Sequence, residues 1–510
     1  MDAITPTQAQ TTVRRPVTAP NVGPEVATPD VHLITHIDAT EPVIEPFATL
    51  SIQQLEEMKK SGGANFTADV SIDRKTEAPA LKIAKGVLTT AAMLAPLGAG
   101  IAVACTAGSF IVGGLAIYLG FKGTKALALK GFLQKGLGRI MSGIKESKME
   151  EPRWDGRRVY QVEADKTGAI DSKIVSQGDL PKMRDPNDIS KFLINNMKAY
   201  PSGTTVVHMM GHGLGYRYSA GLPFSAYEKV LEDTTKAAGK PADIVLLESC
   251  LQGNLEALAA TSSYSRYSVL SEETVSAGVI GEILKNTAAH NAGKALTPRE
   301  LGTKLIEESR AMEPAPGTPS MNPSAETLVL VDNAKVPALV AAVDRLGLVL
   351  ADEVKDGRKE FIEGAVKGAE QYPKHPLFKS MRKTLAMGDL KDFCERLDAI
   401  YQGNQVDMPD RKIFGPIHAK VQQRWGQAVF SPRAADIRKV AGEVLSALNQ
   451  AVVASHISDR YKKAGGVSIQ LPGKFEKMEN APHYKKAGLG TFDQSAAPDG
   501  WRKFVDGFSA

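Results

Sequence analysis

ADIVLLESCLQGNLEAL, residues 242–258, begins as an apolar, β-branched run and ends as a helical pattern, with Glu248-Ser249-Cys250 at the junction. A run of this length bounded by a turn signal reads as a buried strand, and Gly253 precedes the helix. Cys250 therefore stands at a strand end beside a helix start, where backbone N–H groups and the helix dipole favour a thiolate. Upstream, TTVVHMMGHGLGY (204–216) is a second such run, ending in Gly211-His212-Gly213. Open α/β sheets bind their ligands at the carboxyl ends of their strands. Glycine on both sides leaves the His212 imidazole uncrowded and lets backbone approach a substrate. His208 and His212 have the spacing of a helical metal pair, but the β-branched run makes this segment a strand, and no zinc-helix glutamate follows His208. Taken singly, a histidine in a glycine turn or a cysteine closing a core strand is ordinary structure. Together, the two strand ends have the histidine–cysteine arrangement of nucleophilic catalysis.

Outward from this pair, short β-branched runs alternate with helical patterns, the signature of a sheet with helices on its faces. Strands are predicted at 158–162, 204–210, 243–247, 267–270, 327–331 and 467–471, and helices at 187–198, 225–237, 255–260 and 336–350. Residues 1–80 contain Pro6, Pro16, Pro20, Pro24, Pro29, Pro42 and Pro46 and read as a disordered tail, with one short helix starting at Ser51, which has capping-box spacing to Gln54. Residues 81–148 form an apolar segment with no charge from Gly86 to Phe121 and a basic amphipathic stretch after it. Ile101–Phe121 is long enough for one membrane span; lysines on both sides favour a hairpin whose two ends share one face, and the further alternative is a Gly/Ala-rich helix pair buried against protein or a partner. Residues 155–510 are then the catalytic unit.

Of 510 residues, 43% are hydrophobic and 23% charged, and the net charge is only +5, so a nucleic-acid partner is not indicated. Cys105, Cys250 and Cys394 are too few and too far apart for a disulfide framework or paired zinc-ligand spacing. No metal site, cofactor or Asp-rich calcium loop is evident. The amino terminus lacks the apolar core of a secretory signal, which suits membrane association, export by a specialised route, or a cytoplasmic protein.

The blocks resemble the clostripain-like cysteine peptidases, relatives of caspases, legumains and gingipains. DPNDISKFLINNMKAYPSGTTVVHMMGHG (185–213), DIVLLESCLQGNLEAL (243–258), YSRYSVLSEE (264–273), TLVLVD (327–332), GDLKDF (388–393), GGVSIQLP (465–472) and GWRKF (500–504) occur in the family's order. The resemblance, over about residues 158–508, implies a caspase-like αβα sandwich with a mostly parallel sheet. It implies Cys250 as nucleophile, His212 as general acid/base, and the amides of Gly213 and Cys250 as the oxyanion hole. It further implies cleavage of protein or peptide substrates after Arg or Lys. Glu248 occupies the position of the family's specificity aspartate, and Glu272 and Glu273 are further candidates for that pocket. Some relatives depend on calcium or mature by self-cleavage between the histidine and the cysteine, where Arg217, Lys229, Lys236 and Lys240 offer basic sites. The rival expectations are a catalytically impaired interaction module and a membrane-inserting effector governed by its peptidase domain.

Overall fold

The computed structural model describes residues 17–75, 154–178, 184–313, 325–374, 385–404, 426–472 and 499–509, apart from positions 29, 42–43, 63–64 and 169. Its strands are β1 (Val31–Ala39), β2 (Phe66–Arg74), β3 (Gly156–Gln161), β4 (Lys173–Gly178), β5 (Thr204–Met210), β6 (Tyr218–Ser219), β7 (Leu222–Pro223), β8 (Ala242–Glu248), β9 (Ser265–Ser271), β10 (Thr327–Asp332), β11 (Gln371–Tyr372), β12 (Met387–Asp389), β13 (Val452–Ile457) and β14 (Ser468–Gln470). Nine of them form one sheet in the order β13-β10-β9-β8-β5-β1-β2-β3-β4. The five central strands, β9-β8-β5-β1-β2, are mutually parallel. β3 and β10 run against them, and β4 and β13 turn back again, so seven of the nine strands share one direction.

The strand boundaries follow the sequence closely at 204–210, 242–248, 265–271 and 327–332, because each is a short run whose side chains bury on both faces. The runs are mostly aliphatic or β-branched except in 265–271, where serines and Tyr267 share the burial with Val269 and Leu270. The stretch near 467–471 is a strand too, but it belongs to a small second sheet, β11-β12-β14.

One face of the large sheet is covered by α1 (Glu45–Gly62) and by the helices Val279–His290 and Pro298–Ala311. The other face carries Pro186–Ala199, Phe224–Ala238, Leu255–Thr261, Val336–Lys355, Ala434–Ala451 and Asp499–Ser509. Three layers result, the αβα sandwich expected. Local chemistry fixes the helix starts. Asp185 accepts from Asn187 N ahead of Pro186, Asn254 accepts from Ala257 N, and Thr297 with Glu300 closes a capping box.

The expectation of a disordered tail over 1–80 fails for its second half. β1 and β2 are central strands and α1 is their crossover, so the catalytic unit starts well before residue 155. VHLITHIDA contains no proline; all nine of its residues are buried between two neighbouring strands. Prolines outside the run, and His32, His36 and Asp38 within it, obscured the hydrophobic pattern. Nor does the helix start at Ser51. That hydroxyl lies in the second turn and donates to Phe47 O at 2.8 Å. The apolar stretch Ile101–Phe121, the basic stretch after it and Cys105 lie outside the described residues. Among the described residues, no helix is long and apolar enough to cross a membrane.

Candidate active site

The carboxyl ends of the parallel strands line up along one edge of the sheet. Asp73 and Asp38 are the last residues but one of β2 and β1; His212 follows β5, Cys250 follows β8, and Glu272 and Glu273 follow β9. The turns after β5 and β8 are locked together by backbone and polar groups. Gly211 N donates to Glu248 O at 3.2 Å; Ser249 Oγ donates to Gly211 O at 2.8 Å and accepts from Ala220 N at 3.1 Å. Gly221 N donates to His212 O at 3.0 Å. Gln252 Nε2 lies within 3.1 Å of the carbonyls of Gly215, Tyr218 and Cys250, and so ties the two turns to the β6–β7 hairpin. Leu251 sits at φ +63° and donates to Glu273 O at 3.1 Å.

The closest approach is at Gly213. A Cβ there would lie 2.3 Å from Cys250 O and 2.7 Å from Cys250 N. Any side chain would push the histidine turn off the cysteine turn. The sequence identifies His212, Gly213 and Cys250 separately; the fold brings their turns into contact.

The surroundings of Cys250 and His212 favour a neutral thiol and a neutral imidazole. The Cys250 thiol donates to Val275 O at 3.8 Å, and the side chain packs against the cluster that includes Tyr216, Leu251 and Tyr461. Burial pushes it up to about 11, and the Glu273 carboxylate works in the same direction. The residue keeps some exposure, but the packing around its sulfur sets the shift. Burial also lowers the pKa of His212; Asp38 and Glu41 oppose this, while Arg184 reinforces it. These neighbours form their own ion cluster: Arg184 reaches Asp38 at 2.9 Å and Glu41 at 3.2 Å. Asp38, Glu41 and Arg184 were not read from the sequence, since they lie in other segments and carry no local motif; Gln252 stands two residues after Cys250, but nothing local marks its amide as the tie between the turns. Cys394 is buried in the core and free, as a packing residue.

The three candidate pocket acids occupy different surroundings. Glu248 is buried under α1's face of the sheet, with Oε2 3.1 Å from His208 Nε2; His208 Nδ1 is 3.4 Å from Thr35 Oγ1. Its other oxygen, Oε1, is buried with no partner. Glu272 points into the small sheet, where its Oε2 accepts from Gly466 N at 2.9 Å and Tyr372 OH at 3.4 Å, with the Asp389 carboxyl nearby. Its carboxyl is pushed well up, by burial first and then by the charge of Asp389. Glu273 is held by Tyr461 OH at 2.9 Å and by Lys374 N. Only Glu273 acts on the Cys250 thiol. Glu248 Oε1 and Glu272 Oε1 are both buried without a hydrogen-bond partner; they differ in that Glu272 stands against the Asp389 carboxyl.

No family model and no curated protein matches the chain. Solved structures similar to it are C11 cysteine proteases. One is the inactive zymogen of a C11 protease from Parabacteroides distasonis, at 11% identity over 93% of this chain and 100% of that one, with a TM-score of 0.48. Two others are of a secreted C11 cysteine protease from Bacteroides thetaiotaomicron. One is in complex with an irreversible peptide inhibitor, at 10% identity over 92% of this chain and 98% of that one (TM-score 0.45). The other, called iotapain, has 11% identity over 93% and 99% (TM-score 0.46). At these identities and scores the likeness carries no weight on its own, and the chemistry has to be argued from the residues.

Proposed function

We propose that the chain is a cysteine endopeptidase in which Cys250 attacks the scissile carbonyl and His212 moves the proton. The observation that carries this reading is the seating of the His212-Gly213 turn on the Cys250 backbone, which puts a thiol and a neutral imidazole on adjoining strand ends. In the proposed cycle, the thiol proton passes to His212 as sulfur bonds to the carbonyl carbon. The oxyanion is met by the amides of Gly213 and Cys250, donors of a kind worth about 100- to 1,000-fold in rate. Collapse breaks the C–N bond, and the imidazolium returns the proton to the leaving amine. Water, deprotonated by His212, then releases the acid and restores the thiol.

Glu248 is the proposed specificity acid. Its unpartnered buried oxygen supports a pocket that accepts the ammonium of Lys or the guanidinium of Arg by a charge-assisted hydrogen bond. Ile101–Phe121, long enough for a span, makes membrane attachment part of the proposal. The thiol's upward shift favours one alternative, a catalytically impaired interaction module.

Peptide-library cleavage by the full chain tests both readings. Cuts after Lys and Arg are expected, and Cys250→Ala and His212→Ala should each lose nearly all activity, since members of one catalytic unit fail together. Full activity in Cys250→Ala rules the proposal out; a folded wild-type chain that cleaves nothing and resists thiol probes points to the module.

A further inference from the structure

Glu56, on α1, lies at the amino-terminal edge of β2, the opposite edge of the sheet from Cys250. There Val162 N bonds Ala68 O, and the connection between β3 and β4 crosses beneath the helix. Glu56 is fully buried. Its Oε1 accepts from Asp171 N at 2.9 Å, Ser172 N at 2.6 Å and Ser172 Oγ at 2.5 Å. Its Oε2 is buried and has no partner.

A buried carboxylate oxygen without a partner costs several kcal/mol unless a cation or a proton meets it. Two more carboxylates flank it. Asp165 accepts from Gly168 N at 2.8 Å and Lys60 Nζ at 3.0 Å. Asp171 accepts from Lys166 N at 2.7 Å and Thr167 N at 2.9 Å. One oxygen from each of the three acids lies within 4.8 Å of the others. Calcium–oxygen bonds of about 2.3–2.6 Å place opposite ligands at most roughly 5 Å apart, so a single ion reaches all three. The local cations do not balance them. Lys60 is largely exposed and meets only Asp165, Lys59 donates to Val162 O, and Lys166 pairs with Glu163, its charge bearing on Asp171 as well. All the donors are carboxylate oxygens, which suits a hard cation rather than zinc or copper.

We propose that Glu56, Asp165 and Asp171 bind calcium and so clamp α1 to the connection between β3 and β4. The ion replaces the Lys60 ammonium at Asp165 and supplies the missing partner of Glu56 Oε2. This site is independent of the peptidase reading, because its effect is on folding stability.

Urea unfolding of the full chain, in chelator and across a calcium titration, tests it. Calcium at about 100 times its Kd should raise the folded-to-unfolded ratio about 100-fold. Asp171→Asn should abolish that gain, and if it does not fold, Asp165→Asn is read in its place. Lys60→Ala removes the competing ammonium and should lower the half-saturating calcium concentration. The proposal is overturned if wild-type curves superimpose in chelator and at about 10 mM calcium, above the range of weak extracellular sites. It is also overturned if the foldable Asp variant gains as much as wild type, or if magnesium reproduces the whole effect in both. Lys60 is then the resident counter-charge.

Discussion

Gly213→Ala separates a positioned dyad from two residues that merely share a sheet edge. The new methyl would meet Cys250 O at 2.3 Å, Cys250 N at 2.7 Å and Gln252 Nε2 at 2.9 Å. Two of these are backbone atoms, held by the bonds around Ser249 and Leu251, so they cannot rotate away. Ordinary carbon contacts begin near 3.5 Å, so the two turns must part by roughly 1 Å. A misplacement of that size between reacting groups costs about 100-fold in rate, or about 2.7 kcal/mol of transition-state stabilisation. The assay is kcat/KM on a fluorogenic peptide ending in Lys or Arg, with the thermal midpoint recorded on the same samples. Gly442→Ala, where an added Cβ meets nothing within 4 Å, is the control and should keep full activity. A folded Gly213→Ala within threefold of wild type would refute the argument that this contact sets the dyad's geometry.

Other expectations follow from the same site. Glu248→Gln keeps an acceptor for His208 but loses the charge; cleavage after Lys and Arg should fall about 100-fold or more on the scale of an unpaired buried cation, while labelling by a small thiol reagent persists. With its thiol pushed up to about 11, resting Cys250 should alkylate about tenfold faster per pH unit, levelling off only near pH 11; a plateau by pH 8 would mean the thiol is already activated. Glu256, fully buried, has its carboxyl raised to about 7 from 4.5, mainly by burial. A raised carboxyl means the native state keeps a proton that the unfolded chain gives up, so its contribution is full below 4.5 and is lost as pH rises through about 7. The shift corresponds to at most about 3 kcal/mol. Urea midpoints should therefore fall between pH 4 and 8, and the fall should be smaller in Glu256→Gln.

What could be read from the sequence was whatever the chain keeps local. The runs ending in His212 and Cys250 are contiguous, aliphatic and closed by glycine, so both the strands and their chemistry were visible. β1 and β2 were missed because their buried polar residues, among them Asp38 and Asp73, look like surface until their partners are known. Asp73, for instance, pairs with Arg157, 84 residues away. Gln252 looked like part of a helix approach, yet its amide joins two turns. The acids at 272 and 273 were visible as a pair but not as diverging: one faces Asp389, the other Tyr461, and neither partner is nearby in sequence. Glu56, Asp165 and Asp171 lack the regular spacing of a calcium loop because a helix and a distant loop share the cluster.

The pairing of β2 with β3 bears on how the chain is put together. Arg74 lies directly opposite Gly156, so the chain leaves β2 and enters β3 at a single doorway. In topological terms, β2 and β3 are antiparallel neighbours joined by a connection whose sequence contains the apolar stretch. Closing a loop of roughly 80 residues instead of a tight turn of about four costs only about 2.7 kcal/mol, since the penalty grows with the logarithm of length. A domain can carry such a passenger, or shed it, without redrawing its strand order. Truncation from the amino terminus is a different operation: a cut at residue 150 removes β1 and β2, two of the five parallel strands at the sheet's centre, together with Asp38 and Glu41 beside His212. To separate the apolar stretch from the catalytic edge, the chain has to be spliced at the doorway, not shortened from its end.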